Sequence, residues 1–157
     1  MEHTLVLVKP DGVERGLVGE VLTRIERKGY VISDMRLVTP SAALAQAHYA
    51  EHSARPFFGE LVDYLCSGRV LAVVVEGERV VKGMRVLNGA TDPTVASPGT
   101  IRGDLACQRD GISMYNVVHG SDSRVSAKRE IALWFPEHQG SCDSGDESVL
   151  PTEEATD

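Results

Sequence analysis

The sequence lacks the features that mark membrane, secreted and metal-binding proteins. No apolar run approaches the roughly 20 residues that a bilayer-spanning helix needs, and the first residues show no charged-plus-apolar leader. The three cysteines, Cys66, Cys107 and Cys142, are widely spaced and odd in number, which suits reduced thiols better than disulfides or a zinc site. We therefore expect a soluble, cytoplasmic protein whose cysteines carry no chemistry.

Aromatic residues and excess positive charge are also scarce. Aromatics make up 5% of the chain, and residues 1–135 hold 16 Lys and Arg against 16 Asp and Glu. A nucleic-acid-binding sheet needs a basic face that carries aromatic side chains, so this class of function ranks low. The neutral body does not contradict the binding of a small anion.

The formal net charge of −7 arises from the C-terminal residues. Residues 136–157 contain seven acids and no Lys or Arg. Their Gly, Ser, Pro, Thr and Glu content cannot bury enough apolar surface to offset the entropy lost on ordering. A chain of 157 residues also suits one core rather than two. We predict one domain over residues 1–138 and an acidic, disordered tail over residues 139–157.

Hydrophobic periodicity predicts an alternation of strands and helices. Strands are expected at residues 4–9, 30–38 and 70–75 and immediately before His119, and helices at residues 16–28, from an N-cap at Ser41 to about 52, and at 56–66, 78–87 and 123–135. With the shorter helices set aside, the order is β-α-β-β-α-β, which is that of the ferredoxin-like α+β fold. We expect a small antiparallel sheet with the helices packed on one face.

Two familiar nucleotide-binding motifs are missing, namely Gly-x-x-x-x-Gly-Lys-Ser/Thr and Gly-x-Gly-x-x-Gly. A polyphosphate must then be held by converging cations, for which Lys9, Arg55, Arg85 and Arg102 are candidates. Lys9 ends a buried strand, where its charge is costly unless it faces a cleft. Glycines around Arg102 let the backbone approach a ligand closely. Arg85 is equally well explained as an exposed surface charge.

A histidine at the end of a strand completes the candidate site. The run Val-Val-His-Gly at residues 117–120 buries its valines and leaves the imidazole of His119 at the C-terminal edge of the strand. A histidine in that place can serve as nucleophile or proton carrier, although a strand-end histidine is more often structural. The nearby phosphate-binding candidates favour the chemical role.

Three segments together carry a family resemblance. They are Lys-Pro-Asp-Gly at residues 9–12, Pro-Gly-Thr-Ile-Arg-Gly-Asp at residues 98–104 and Asn-Val-Val-His-Gly-Ser-Asp-Ser at residues 116–123. From about Thr4 to Phe135 the chain resembles the nucleoside diphosphate kinase family. The resemblance implies a ping-pong transfer of the terminal phosphoryl group from a nucleoside triphosphate, mainly ATP, to a nucleoside diphosphate through a phosphohistidine.

The resemblance also implies a catalytic group of four residues. His119 would carry the phosphoryl group, Glu130 would hydrogen-bond the imidazole, and Tyr49 and Ser121 would lie beside it. A carboxylate on the second ring nitrogen would fix the tautomer of the imidazole and steady the phosphorylated ring.

A second set of residues is implied to bind the nucleotide. The resemblance assigns a sugar contact, a lysine shared by ribose and phosphates, a ring that stacks on the base and three phosphate contacts. In that order they are Asn116, Lys9, Phe57, Arg85, Thr91 and Arg102. Without the family, Phe57 reads as a core aromatic at the start of a helix. Because every base offers a π face, stacking predicts a broad base range.

Cofactor and partners follow from the same chemistry. Mg²⁺ prefers substrate phosphate oxygens and water to an all-protein cage, so we expect Mg²⁺ without a dedicated protein ligand. The expected partners are nucleoside tri- and diphosphates and further copies of the chain, in a hexamer or tetramer. The segment from Gly103 to Tyr115 is longer than in the commonest family members, and Ile112 is our candidate for the residue that covers the base. The alternative function is a nucleotide-binding or regulatory ferredoxin-like module without turnover.

Overall fold

The structure, a computed structural model, describes residues 1–107 and 114–140. Ile112, with the rest of residues 108–113, and the acidic tail from residue 141 lie outside these described residues. The strands are β1 (Glu2–Val8), β2 (Val31–Val38), β3 (Val70–Gly77) and β4 (Val118–Gly120). The helices are α1 (Pro10–Glu14), α2 (Val18–Arg27), α3 (Ala42–His48), α4 (Phe58–Cys66), α5 (Val80–Asn88), α6 (Ile101–Leu105) and α7 (Arg124–Trp134), with 3₁₀ turns at Ala50–His52 and Pro136–Gly140.

The four strands form one antiparallel sheet in the order β2-β3-β1-β4. β1 lies in the middle, paired with β3 on one side and with β4 on the other, and Leu7 stands opposite His119. This arrangement confirms the ferredoxin-like α+β prediction. The pairing places the end of β1, and therefore Lys9, beside the strand that carries the histidine.

Helices cover both faces of the sheet, so the expectation that they lie on one face is wrong. Side chains alternate across a strand, and successive residues of β1 accordingly enter two separate cores. Val6 and Val8 pack with α2 and α5, whereas Leu5 and Leu7 pack with α3, α4 and α7. The uninterrupted apolar sequences of β1 and β3 are typical of strands buried on both sides.

The longer helices form where the apolar periodicity predicts them. α2 buries Val21 and Ile25, and the Ser41 hydroxyl caps α3 by accepting a hydrogen bond from the Leu44 amide at 3.1 Å. The five-residue helices α1 and α6 were not predicted. Each is little more than one turn and contains a glycine, so neither presents a repeated apolar face. Within the described residues, no helix has the length and apolar content to cross a membrane.

Candidate active site

A cavity of about 740 Å³ opens at the C-terminal end of β1, beside β4. Its walls come from the segments that follow β1 and precede β4, from α3 and α4, and from the ends of α5, α6 and α7. Nine of the ten residues predicted to act on the nucleotide line it, namely Lys9, Tyr49, Phe57, Arg85, Thr91, Arg102, Asn116, His119 and Glu130. Ser121 lies directly behind them. The fold therefore brings the ten residues that the resemblance assigns to one place.

His119 in β4 is held by a carboxylate from α7. Its Nε2 lies 3.2 Å from Oε2 of Glu130, which is 4% exposed. The same oxygen accepts a hydrogen bond from the Ser121 hydroxyl at 2.6 Å. Since a carboxylate accepts, the proton of this contact lies on Nε2 of His119. A neutral imidazole held in this way keeps the lone pair of Nδ1 for attack.

His48, which the sequence analysis did not single out, packs against the ring of His119. The two imidazole centroids are 4.5 Å apart in an edge-to-face arrangement, and Trp134 Nε1 donates to His48 Nδ1 at 3.2 Å. Burial lowers the pKa of His48 well below its usual value, with the His119 ring the next contributor. Neighbouring Tyr49 is 8% exposed, and burial raises the pKa of its hydroxyl. Both groups are therefore uncharged at neutral pH.

Among the described residues, one group of three side chains could offer nitrogen and oxygen atoms to a metal ion. His48, His119 and Glu130 bring their ligand atoms within 4.8 Å of one another. However, Nδ1 of His48 accepts the Trp134 proton, so Nε2 of His48 is protonated and has no lone pair. Two imidazoles are also a poor match to Mg²⁺, which prefers oxygen ligands. These contacts argue against a resident metal at this group.

Lys9 follows β1 and is 5% exposed, as its predicted place in a cleft requires. Its ammonium donates to the Met114 carbonyl and, at 2.9 Å, to Oδ1 of Asn116. It also lies 5.2 Å from the centre of the Tyr64 ring. Burial lowers the pKa of Lys9 to about 7, a nearby carboxylate at Asp11 opposes that change, and Arg102 adds to it.

The two arginines are engaged differently. Arg102 is half-buried and donates to the carbonyls of Gly89 at 2.7 Å and Val118 at 2.8 Å. Burial, followed by the charge of Arg85, lowers the pKa of Arg102 to about 10. Arg85 is half-exposed and pairs with the carboxylate of Asp122. Arg102 thus has a fixed position, whereas Arg85 can exchange its partner for a phosphate.

The remaining candidate residues are Asn116, Thr91, Phe57 and Arg55. Asn116 Nδ2 donates to the Thr91 carbonyl at 2.8 Å, which joins the sugar candidate to a phosphate candidate. Phe57 is 42% exposed at the start of α4, so it is not the core aromatic that its sequence position alone suggested. Arg55 is exposed in the segment before α4 and is absent from the cavity lining, so this phosphate candidate is not placed at the site.

The structure gives a different reason for the glycines around Arg102 from the one that we expected. A side chain at Gly103 would lie 2.0 Å from the Ser97 carbonyl, and Gly99 has a φ of +89°. Glycine is therefore required at both positions by the backbone of residues 97–103 itself. The sequence analysis also missed Asp11, whose carboxylate lies under the site. The Lys-Pro-Asp-Gly motif contained it, but no sequence pattern connected it to residues more than 100 positions away.

Comparisons with known proteins agree with this geometry. The family model described as nucleoside diphosphate kinase matches residues 2–139. The nucleoside diphosphate kinase of Mycobacterium tuberculosis strain H37Rv is 57% identical over 136 residues, 86% of this chain and 97% of that protein. The one from Caldanaerobacter subterraneus subsp. tengcongensis is 58% identical over 137 residues, 87% of this chain and 96% of that protein.

A solved structure shows the same fold. The crystal structure of nucleoside diphosphate kinase from Encephalitozoon cuniculi, in its cubic apo form, superposes with a TM-score of 0.80 at 40% sequence identity, covering 86% of this chain and 89% of that one. On the family model and these relatives, the chain belongs to the nucleoside diphosphate kinase family.

Proposed function

We propose that this protein moves the terminal phosphoryl group of a nucleoside triphosphate, mainly ATP, to a nucleoside diphosphate through a phosphohistidine at His119. One observation carries the proposal. Nε2 of His119 contacts a buried carboxylate, which leaves Nδ1 as the ring nitrogen for attack. The same ring lines a cavity together with four Lys and Arg side chains, those of Lys9, Arg85, Arg102 and Arg129. Family membership supports the same activity.

The reaction consists of two symmetrical half-reactions. Nδ1 of His119 attacks the terminal phosphorus, the bond between that phosphorus and its bridging oxygen breaks, and the diphosphate leaves with both electrons of the bond. Glu130 accepts a hydrogen bond from the Nε2–H of His119 throughout and stabilises the positive charge that develops on the ring. In the second half-reaction, an oxygen of the acceptor diphosphate attacks the phosphohistidine and restores the neutral imidazole.

Cationic side chains stabilise the transferred group. Phosphoryl transfer has a loose transition state with charge spread over the equatorial oxygens, so positioning and electrostatics supply most of the catalysis. Arg102 offers positive charge at a fixed position, Lys9 becomes cationic when the phosphates bind, and Arg85 would leave Asp122 to bind the phosphates. The hydroxyl of Tyr49 remains protonated and is available as a donor.

The sugar and base would occupy the outer part of the cavity. Asn116 and Lys9 are hydrogen-bonded to each other and present one polar surface for the ribose hydroxyls. The exposed ring of Phe57 offers a stacking face at the mouth of the cavity. A site of this kind holds the base by its π face, so we expect broad base tolerance.

We also infer a requirement for Mg²⁺ that enters with the nucleotide. When bound to the phosphates, Mg²⁺ would neutralise part of their charge and orient them. The imidazole-rich group at His119 does not match its ligand preference, so the ion would be held mainly by phosphate oxygens and water.

Labelling with terminally labelled ATP and no acceptor tests the proposal. The wild-type protein should take up label that is stable to base and labile to acid, as expected for phosphohistidine, and His119→Ala should take up none. His3→Ala is a matched control, because His3 is paired with Glu76 near the start of β1 and should leave labelling intact. Nucleotide binding without labelling in the wild type would instead favour the regulatory module.

We further infer that copies of the chain associate through β2. β2 is an edge strand, and no strand of the described residues pairs with its outer side, where a second strand could add to the sheet. Val31, Met35 and Leu37 project from it with exposed fractions of 60%, 56% and 48%. A second copy placed by a two-fold axis would cover this apolar row with the same row. The expected hexamer or tetramer and the cytoplasmic location both stay predictions.

A further inference from the structure

Val117, two residues before the catalytic histidine, has a strained backbone. Its φ is +69°, in the left-handed region that L residues rarely adopt. For a β-branched residue this conformation is unfavourable and persists only when its surroundings hold it. Val117 is also fully buried, so the groups that hold it are identifiable.

Two residues from the beginning of the chain hold Val117 at both of its backbone groups. The Val117 amide donates to Oδ2 of Asp11 at 3.1 Å, and the Val117 carbonyl accepts from the Lys9 amide at 2.8 Å. The other oxygen of Asp11 accepts from the Tyr64 hydroxyl of α4. Asp11 is 4% exposed, so both oxygens of a buried carboxylate are in use.

The strained segment connects this carboxylate to the nucleotide-binding residues. Asn116 precedes Val117, and its Oδ1 accepts a hydrogen bond from the Lys9 ammonium at 2.9 Å. His119 follows Val117 by two residues. Asp11 itself does not line the cavity. It can therefore act on bound nucleotide only through the residues in front of it.

We propose that Asp11 is a positioning residue for phosphoryl transfer, whose carboxylate fixes the Val117 backbone that aims Asn116 and His119 and supplies the counter-charge beside the Lys9 ammonium. The inference rests on the proposed function of the same site. It extends that function to a residue that touches neither substrate nor the reacting atoms.

The second half of this role is electrostatic. Burial lowers the pKa of Lys9 to about 7, and Asp11 is the group that raises it. The other charged or titratable groups that face Lys9 are Arg102 from α6, Tyr64 from α4 and His48 from α3. Among them Asp11 carries the negative charge. Without that charge the pKa of Lys9 falls further, and a smaller fraction of the lysine is protonated to complement a polyphosphate at a given pH.

Asp11→Asn tests the proposal, because it keeps the size of the side chain and an acceptor oxygen but removes the charge. The pH dependence of kcat/KM, and of the Kd for a nucleoside diphosphate, would be measured on the wild type and the variant. We expect the alkaline limb of both profiles to move about one pH unit or more to lower pH. At pH 8 the variant should show about a 10-fold loss in kcat/KM, because a one-unit shift makes the protonated fraction tenfold smaller.

Tyr64→Phe is the matched control. It removes the hydroxyl from the other oxygen of Asp11 and keeps both the carboxylate charge and the aromatic ring beneath Lys9. Its melting temperature should fall, while its alkaline limb should remain at the wild-type pH. A purely structural role for Asp11 predicts instead that both variants lose stability and neither shifts the profile, and that result would overturn the proposal.

The test also covers a variant that does not fold and a wild-type protein that is not phosphorylated. If Asp11→Asn does not fold, the same profiles are measured on Asp11→Ser, whose hydroxyl can accept from the Val117 amide without charge. If neither variant folds, Asp11 is a folding element and the proposal is wrong. The Kd profile needs no turnover, so a wild-type protein that binds nucleotide without forming phosphohistidine would refute the proposed function and still decide the role of Asp11.

Discussion

Lys9 shows how one residue can oppose folding and serve the site. The unfolded chain keeps this lysine protonated up to about pH 10.5, whereas the folded protein releases the proton near pH 7. Burial of the charge therefore costs stability below pH 7, and the cost disappears as the pH rises through this window towards 10.5. A buried ammonium of this kind is tolerated where its charge is needed, which in this protein is the point where we propose that phosphates bind.

Nucleotide binding should consequently take up a proton at Lys9. At pH 8 the free protein holds Lys9 mostly neutral, and the negative phosphates of bound Mg-ATP favour the charged ammonium. We expect an uptake of about one proton, which isothermal titration calorimetry measures as a dependence of the binding enthalpy on the ionisation enthalpy of the buffer. Lys9→Gln should bind more weakly and show no such dependence. Equal buffer dependence in both proteins would contradict the assignment.

At the scale of elements, a hydrogen bond between α3 and α7 lies directly behind the ring of His119. Trp134 near the end of α7 donates its indole N–H to His48 at the end of α3, and His48 in turn packs on His119. The bond fixes the tautomer of His48 with the proton on Nε2. The bond joins α3 and α7 behind the ring of His119, through two residues that are 86 positions apart in the chain.

The variant Trp134→Phe tests how much this hydrogen bond contributes to the free energy of unfolding. The change leaves Nδ1 of His48 buried without a donor, which costs about 1–3 kcal/mol beyond the lost packing. Urea unfolding of Trp134→Phe, His48→Phe and the double variant forms a thermodynamic cycle. We expect a coupling of at least about 0.5 kcal/mol between the two positions. Additive effects would show that the indole proton contributes no specific bond.

Local sequence patterns predicted the strands and helices that have a regular apolar repeat. The features that the prediction missed depend on contacts between residues far apart in the chain. The periodicity of α2 and the cap at Ser41 are properties of neighbouring residues, and both could be read from the sequence. The family resemblance located the residues around the cavity. The roles of Asp11 and His48 depend on partners 106 and 86 positions away. No local pattern records such pairs, nor which faces of the sheet the helices cover.

For the molecule as a whole, assembly through β2 leads to a simple test. Met35→Lys places a charge in the middle of the exposed apolar row of an edge strand, where a second copy would bury it. Sedimentation should show a smaller assembly for this variant. Val125→Lys is the matched control, because Val125 is 82% exposed on α7, away from β2, and should leave the assembly unchanged. A wild-type mass for Met35→Lys would show that β2 is not the interface.

Truncation after Gln139 tests the division into one domain and an acidic tail. Every residue proposed for the site lies between Lys9 and Glu130, and the family match ends at residue 139. The deletion removes six acids and changes the formal net charge from −7 to −1. Turnover should remain unchanged, whereas solubility should fall because the net charge approaches zero. Steady-state kinetics, sedimentation and thermal unfolding of the truncated protein would decide the point. A lower assembly mass or a markedly lower melting temperature would mean that residues 140–157 contribute to the association of the copies.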